Sequence, residues 1–160
     1  MEFSGKKVTV VGTGISGIGA VGLLNAVGAE VVLYDGNEKL KIEDIEKKLG
    51  TYKAEIVLGE LTKELTDSSD LLVISPGVPI DSPVVKAFEA AGVPIWGEVE
   101  LAYAFDKGKV LAITGTNGKT TTTALVGQIV GAYHKDTFVV GNIGNPYTTE
   151  VLKSNKDSYT

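Results

Sequence analysis

The chain contains no cysteine. That excludes a disulfide framework and a thiolate metal site, and makes the cytoplasm the default setting. No Lys/Arg cluster marks one face, and the net charge is −5 with a pI near 4.9. Binding to nucleic acid or to an anionic membrane is therefore not expected. The single histidine, His134, stands beside Lys135 near the expected end of a helix, where a cation suits the dipole, and it draws no metal role. Charge is also scarce early on: Glu30 is the only charged residue from Val8 to Tyr34. Such a run could be a signal peptide or a membrane span. Glycines at 12, 14, 17, 19, 22 and 28 argue instead for a buried parallel strand followed by a core-facing helix. No internal repeat or low-complexity tract is present. What remains is 160 residues with 43% hydrophobic content, enough for one large or two small packed domains.

Strand and helix patterns alternate. Strands are expected at Val8–Gly12, Glu30–Tyr34, Glu55–Leu58, Leu71–Ser75, Val93–Trp96, Lys109–Ile113 and Thr137–Val140. Helices are expected at Gly17–Val27, Lys39–Leu49, Pro83–Ala91, Glu98–Phe105 and about Lys119–Ala132. This order predicts an α/β fold: a Rossmann-like parallel sheet of five strands ending near residue 96, then a further strand, a phosphate loop and its helix. The polar turn Phe105-Asp106-Lys107-Gly108 divides residues 1–106 from 107–160. Trp96 is expected in the core or at the seam between the two. The charged run Glu38–Lys48 reads as a solvated helix face. Glu98 and Glu100, two apart on a helix, do not share a face and make a poor catalytic pair.

Two glycine loops carry the chemistry. Gly12-Thr-Gly-Ile-Ser-Gly17 is a G-x-G-x-x-G between strand and helix, and Asp35 closes the next strand. The pattern offers a helix N-terminus to a diphosphate and a carboxylate to a hydroxyl or N–H beyond it. It does not name the ligand. Ser75-Pro76-Gly77 ends another parallel strand and is expected to line the same crevice. The second loop, Gly115-Thr116-Asn117-Gly118-Lys119-Thr120-Thr121, is a shortened phosphate loop. Its amides would face the phosphates of ATP, Lys119 would add charge, and the Thr120 hydroxyl would ligate Mg²⁺.

The order of the pieces resembles one family. A G-x-G-x-S-G loop, an Asp after the second strand, S-P-G-V-P at 75–79, G-E-V-E-L at 97–101, I-T-G-T-N-G-K-T-T-T at 113–122 and G-N-I-G at 141–144 are together similar to the Mur ligases of peptidoglycan synthesis, most of all to those that add D-glutamate. The resemblance implies three domains, of which this chain would hold the first and the opening of the second, with residues 107–160 the truncated N-terminal part of an ATP-binding P-loop domain. It implies that Gly14, Ile15, Ser16 and Gly17 hold the diphosphate of UDP-N-acetylmuramoyl-L-alanine. Asp35 and Gly36, with Ser75, Pro76 and Gly77 in part, would meet the uracil. Lys119 would lie on the β/γ-phosphates of ATP and Asn142 near the muramoyl group or the transferring phosphate. The implied reaction phosphorylates the substrate carboxylate, and the amine of D-glutamate attacks the acyl phosphate. The whole protein is expected to be a monomer, and the fragment alone inactive. Gly36-Asn37 lacks the basic residue that family members carry just after the Asp. Alternatives are a nicotinamide-dependent oxidoreductase, a UDP-sugar or nucleotide-binding module without turnover, and a related Mur ligase adding a different amino acid.

Overall fold

Residues 7–97 wind a single sheet with helices on both faces. The computed structural model describes residues 2–141 and 145–160. The strands are β1 (Lys7–Val11), β2 (Glu30–Asp35), β3 (Glu55–Leu58), β4 (Leu71–Ile74) and β5 (Ile95–Gly97). All neighbours pair in parallel, in the order β3-β2-β1-β4-β5. The helices of this part are α1 (Ile15–Ala26), α2 (Ile42–Leu49), α3 (Lys63–Ser68), α4 (Pro83–Ala90) and α5 (Glu98–Tyr103). The five expected parallel strands are present within a residue or two. The short helix α3 was not anticipated; Thr62 caps it by accepting the Leu65 amide at 3.3 Å.

Period-two side chains divide the sheet into two cores. Val8, Val10, Val31, Leu33, Leu71 and Val73 point to one face, where α1, α2 and α5 cover them. Val11, Val32, Tyr34 and Leu72 point to the other, against Leu65 of α3 and Phe88 of α4. β1 is central and apolar on both faces except for Thr9, whose buried hydroxyl meets Ser69 Oγ at 2.8 Å. Trp96 lies at the rim of the first core, 6.1 Å from the ring of Phe3.

Beyond residue 106 the sequence expectation needs correction. The strands expected at Lys109–Ile113 and Thr137–Val140 are reduced to isolated bridges. Tyr159 bridges both Lys109 and Thr137 in parallel, so residues 158–160 lie between the two segments as the start of a ladder. Three residues give that ladder too few hydrogen bonds to register as strands. The helix between them, α6 (Lys119–Tyr133), forms as expected but buries no residue. Leu125, Ile129 and Tyr133 make an exposed stripe on it, and an apolar cavity of about 240 Å³ opens among Val110, Val126, Val130, Phe138 and Val140. Among the described residues no helix is long and apolar enough to cross a membrane.

The second part is nevertheless fastened to the first. The short helix α7 (Tyr147–Glu150) packs on α1 and α5. Gly19 permits this: a Cβ there would stand 2.6 Å from Thr148 Oγ1. Tyr147, 5% exposed, donates its hydroxyl to Asp106 at 2.6 Å. Burial raises the Asp106 pKa, but the bonds from Tyr147 and the Gly108 amide outweigh it and hold the carboxyl below its ordinary value. Burial first, then the Asp106 bond, push the Tyr147 phenol upward. Tyr147→Phe is expected to cost about 1–2 kcal/mol at neutral pH. A depressed carboxylate stabilises above its unfolded pKa and loses that contribution as pH falls through the folded one. The deficit of the mutant should therefore narrow below about pH 3.8, the ordinary carboxyl value. Urea unfolding of both proteins at pH 7 and pH 3 checks this.

Candidate functional site

The carboxyl ends of β1, β2 and β4 meet at one crevice. The chain runs from β1 outward through β2 to β3, then returns to β4 on the other side of β1. The β1/β4 boundary is thus a topological switch point, where open parallel sheets take ligands. Gly12 leaves β1 at φ +104, a region that favours glycine, and its amide bonds to the Tyr34 carbonyl at 2.9 Å. A Cβ on Gly12 would lie 3.0 Å from Ser75 Oγ, so the loops after β1 and β4 touch.

The three loop glycines have different work. Gly17 is buried, and a Cβ there would stand 1.8 Å from the Gly12 carbonyl oxygen; it allows α1 to close on the strand end. Gly14 is the N-cap of α1, exposed, with nothing within 4 Å of its missing Cβ. It leaves the approach to the helix N-terminus open. No side chain caps α1, and its first turn contains no acidic residue, so no described side chain occupies its leading amides. Ile15 is 79% exposed at the mouth and Ser16 half-buried beside it.

Asp35 binds this loop directly. Its Oδ2 accepts from the Thr13 amide at 3.2 Å and from the Thr13 hydroxyl at 2.9 Å, while Oδ1 accepts from the Asn37 amide at 3.1 Å. Thr13 was not among the residues expected to matter. A hydroxyl residue in the first x of G-x-G, with an Asp closing the next strand, was the available signal. Gly36, Pro76 and Gly77 are exposed around the crevice, and Ser75 is half-buried with its hydroxyl oxygen fully buried and unpartnered. Lys48, from the run read as a solvated face, also reaches the loop: its Nζ donates to the Thr13 carbonyl at 3.4 Å.

The second constellation sits at the start of α6. Gly115 has φ +150 and Gly118, the N-cap, φ +77. The helix has no capping side chain and no acidic residue in its first turn. Thr116, Asn117, Thr120 and Thr121 are exposed around it, and the Lys119 ammonium folds back onto the Gly115 carbonyl. The arrangement fits a polyphosphate: open amides, a left-handed turn, one cation and a hydroxyl. For a metal ion the described residues offer little beyond Thr120, since no group of three His, Cys, Asp or Glu converges. Asn142 lies outside the described residues. Glu98 and Glu100 form no pair: Glu98 is buried with Thr148 Oγ1 donating to it at 3.4 Å, and Glu100 is exposed. His134 ends α6, its ring 4.4 Å from that of Tyr159.

Known proteins share the fold and the sequence of this chain. Two solved structures share the fold: a pseudomurein peptide ligase type C from Methanothermus fervidus (TM-score 0.54, 24% identity, 96% of this chain and 32% of that one) and a murein peptide ligase from Psychrobacter arcticus (TM-score 0.51, 22% identity, 83% and 28%). The chain is 67% identical over 160 residues to a UDP-N-acetylmuramoylalanine–D-glutamate ligase of Lachnospira eligens and 56% identical over 161 to one of Lachnoclostridium phytofermentans. Each match takes in 100% of this chain but 36% of the relative, so the chain spans about a third of their length. The family model for the N-terminal domain of MurD-like Mur ligases matches residues 6–97, the very segment that builds the sheet and its crevice, and the chain belongs to that family.

Proposed function

We propose that the crevice at β1, β2 and β4 binds the UDP part of UDP-N-acetylmuramoyl-L-alanine. In this reading residues 107–160 open an ATP-binding domain, and the whole protein joins D-glutamate to that substrate in the cytoplasm, as a monomer. The observation that carries the reading is the uncapped N-terminus of α1, open at Gly14 and flanked by Asp35 and Ser75 at the switch point. The names of the D-glutamate ligase relatives support the choice of substrate.

The geometry supports the following roles in this reading. The α1 amides take the diphosphate. Thr13 and Asp35 hold the β1 loop to the β2 loop, so the uracil meets a rigid wall. ATP supplies, when bound, the phosphoryl group that activates the substrate carboxylate for attack by the D-glutamate amine. Lys119 would exchange the Gly115 carbonyl for phosphate oxygens, and the Thr120 hydroxyl would offer one ligand to Mg²⁺. Positioning and charge neutralisation are what such a transfer requires of the protein.

Calorimetry on the 160-residue chain with UDP, UDP-N-acetylmuramoyl-L-alanine and NAD tests the crevice. Both uridine compounds are expected to bind more tightly than NAD. Asp35→Ala should weaken UDP by about 1–3 kcal/mol, since it releases Thr13 as well as removing an acceptor. Tighter binding of NAD would sink the assignment.

A further inference from the structure

The positive side of the crevice has more than helix amides. Lys48 sits in the last turn of α2, whose Ile45 and Leu49 are buried in the core and fix the helix beside α1. Its Nζ lies 3.4 Å from the carbonyl of Thr13, one residue before the α1 N-cap. Among the described residues Lys48 forms no ion pair, whereas its neighbour Lys47 pairs with Asp44 at 3.4 Å. An ammonium over the positive end of a helix is unfavourable unless an anion joins them. Asp35 is the one carboxylate bonded to this loop, and its oxygens are engaged by Thr13 and Asn37. Beside it, α1 carries no capping side chain and no acidic residue in its first turn.

A second polar group without a partner lies against the same glycine loop. The Ser75 hydroxyl oxygen is fully buried and has no hydrogen-bond partner. It lies 3.0 Å from where a Gly12 Cβ would stand and 3.3 Å from that of Gly17. An unmet buried hydroxyl costs stability unless something supplies its bond. The chain has no arginine, so a side-chain cation for a phosphate must be one of its 15 lysines or His134. Lys48 is the one bonded to this loop.

We infer that Lys48 is a substrate-binding residue, whose ammonium leaves the Thr13 carbonyl for a non-bridging oxygen of the nucleoside diphosphate. The inference rests on the crevice being the diphosphate site, and the test separates the two. Calorimetry on the 160-residue chain would use UDP at low and moderate ionic strength, with Lys48→Gln, Lys48→Arg and the control Lys47→Gln. Lys48 is exposed, so Lys48→Gln is expected to weaken UDP about three- to tenfold rather than abolish binding. Its affinity should also fall less steeply with salt than that of the unmodified chain. Lys48→Arg should stay within about twofold because the charge persists. Lys47→Gln should match the unmodified chain. If UDP binds and Lys48→Gln matches the unmodified chain in both affinity and salt dependence, the inference fails while the crevice assignment stands. If the folded, unmodified chain does not bind UDP, both fall.

Discussion

Gly17→Ala is expected to lower the stability of the chain by about 3 kcal/mol, at the upper end of what overpacking a tight site costs. The cause is local and large. The new methyl would stand 1.8 Å from the Gly12 carbonyl oxygen, and the obstacle is backbone rather than a side chain that could swing away. Either α1 retreats from the end of β1 or the Gly12 turn opens. The first uncovers Val10, Val21 and Leu24, all essentially inaccessible to water; the second breaks the Gly12 amide bond to Tyr34. Gly14→Ala is the informative contrast. Gly14 has φ −79, which any residue adopts, and nothing lies within 4 Å of its missing Cβ. Its stability should be unchanged, yet the methyl stands where a diphosphate would approach the α1 amides, so UDP affinity should drop. Urea unfolding and calorimetry on both variants read the two effects separately. A Gly17→Ala chain as stable as the original would show that the loop has slack the structure does not reveal.

That contrast shows what could be read from the residues and what could not. The five strands were legible because each is an apolar run bounded by Gly, Pro or polar turns, and G-x-G-x-x-G fixed the first strand and its helix. The separate duties of Gly14 and Gly17 were not, since letters at fixed spacing do not say which glycine faces the ligand and which faces backbone. Lys48 was hidden for a related reason. On α2 it belongs to a charged face, and only the distance from its Nζ to the Thr13 carbonyl shows that its side chain reaches the β1 loop. The strands at 109–113 and 137–140 were over-read. Their composition is that of buried strands, but a strand needs a partner, and among the described residues these segments meet only isolated bridges. The Asp106–Tyr147 bond joins residues 41 apart, a pairing that local pattern cannot specify.

On the proposed function, Lys119→Ala in the whole protein is expected to reduce D-glutamate-dependent phosphate release by about 10²–10³-fold, the scale on which removal of one preorganised charge-stabilising group acts. Lys119 is exposed and its described bond is to the Gly115 carbonyl four residues earlier. Its removal should therefore leave stability nearly unchanged, so that lost turnover cannot be attributed to unfolding. The fall should appear in kcat more than in KM for ATP, since the α6 amides and the Gly118 turn still hold the phosphates while the charge that develops during transfer loses its partner. Lys119→Arg should recover only part of the rate, because a planar guanidinium does not replace a compact ammonium in so short a loop. Thr120→Ala should shift the Mg²⁺ requirement to higher concentration through the loss of one ligand. The 160-residue chain by itself should show no D-glutamate-dependent release, because α6 buries no residue and, among the described residues, no group of three His, Cys, Asp or Glu converges to complete a metal shell. Steady-state phosphate release with ATP, Mg²⁺, UDP-N-acetylmuramoyl-L-alanine and D-glutamate decides each case. If Lys119→Ala kept kcat within a few-fold of the original, the phosphates would be neutralised by groups outside residues 115–121, and the loop would be a turn rather than a cradle.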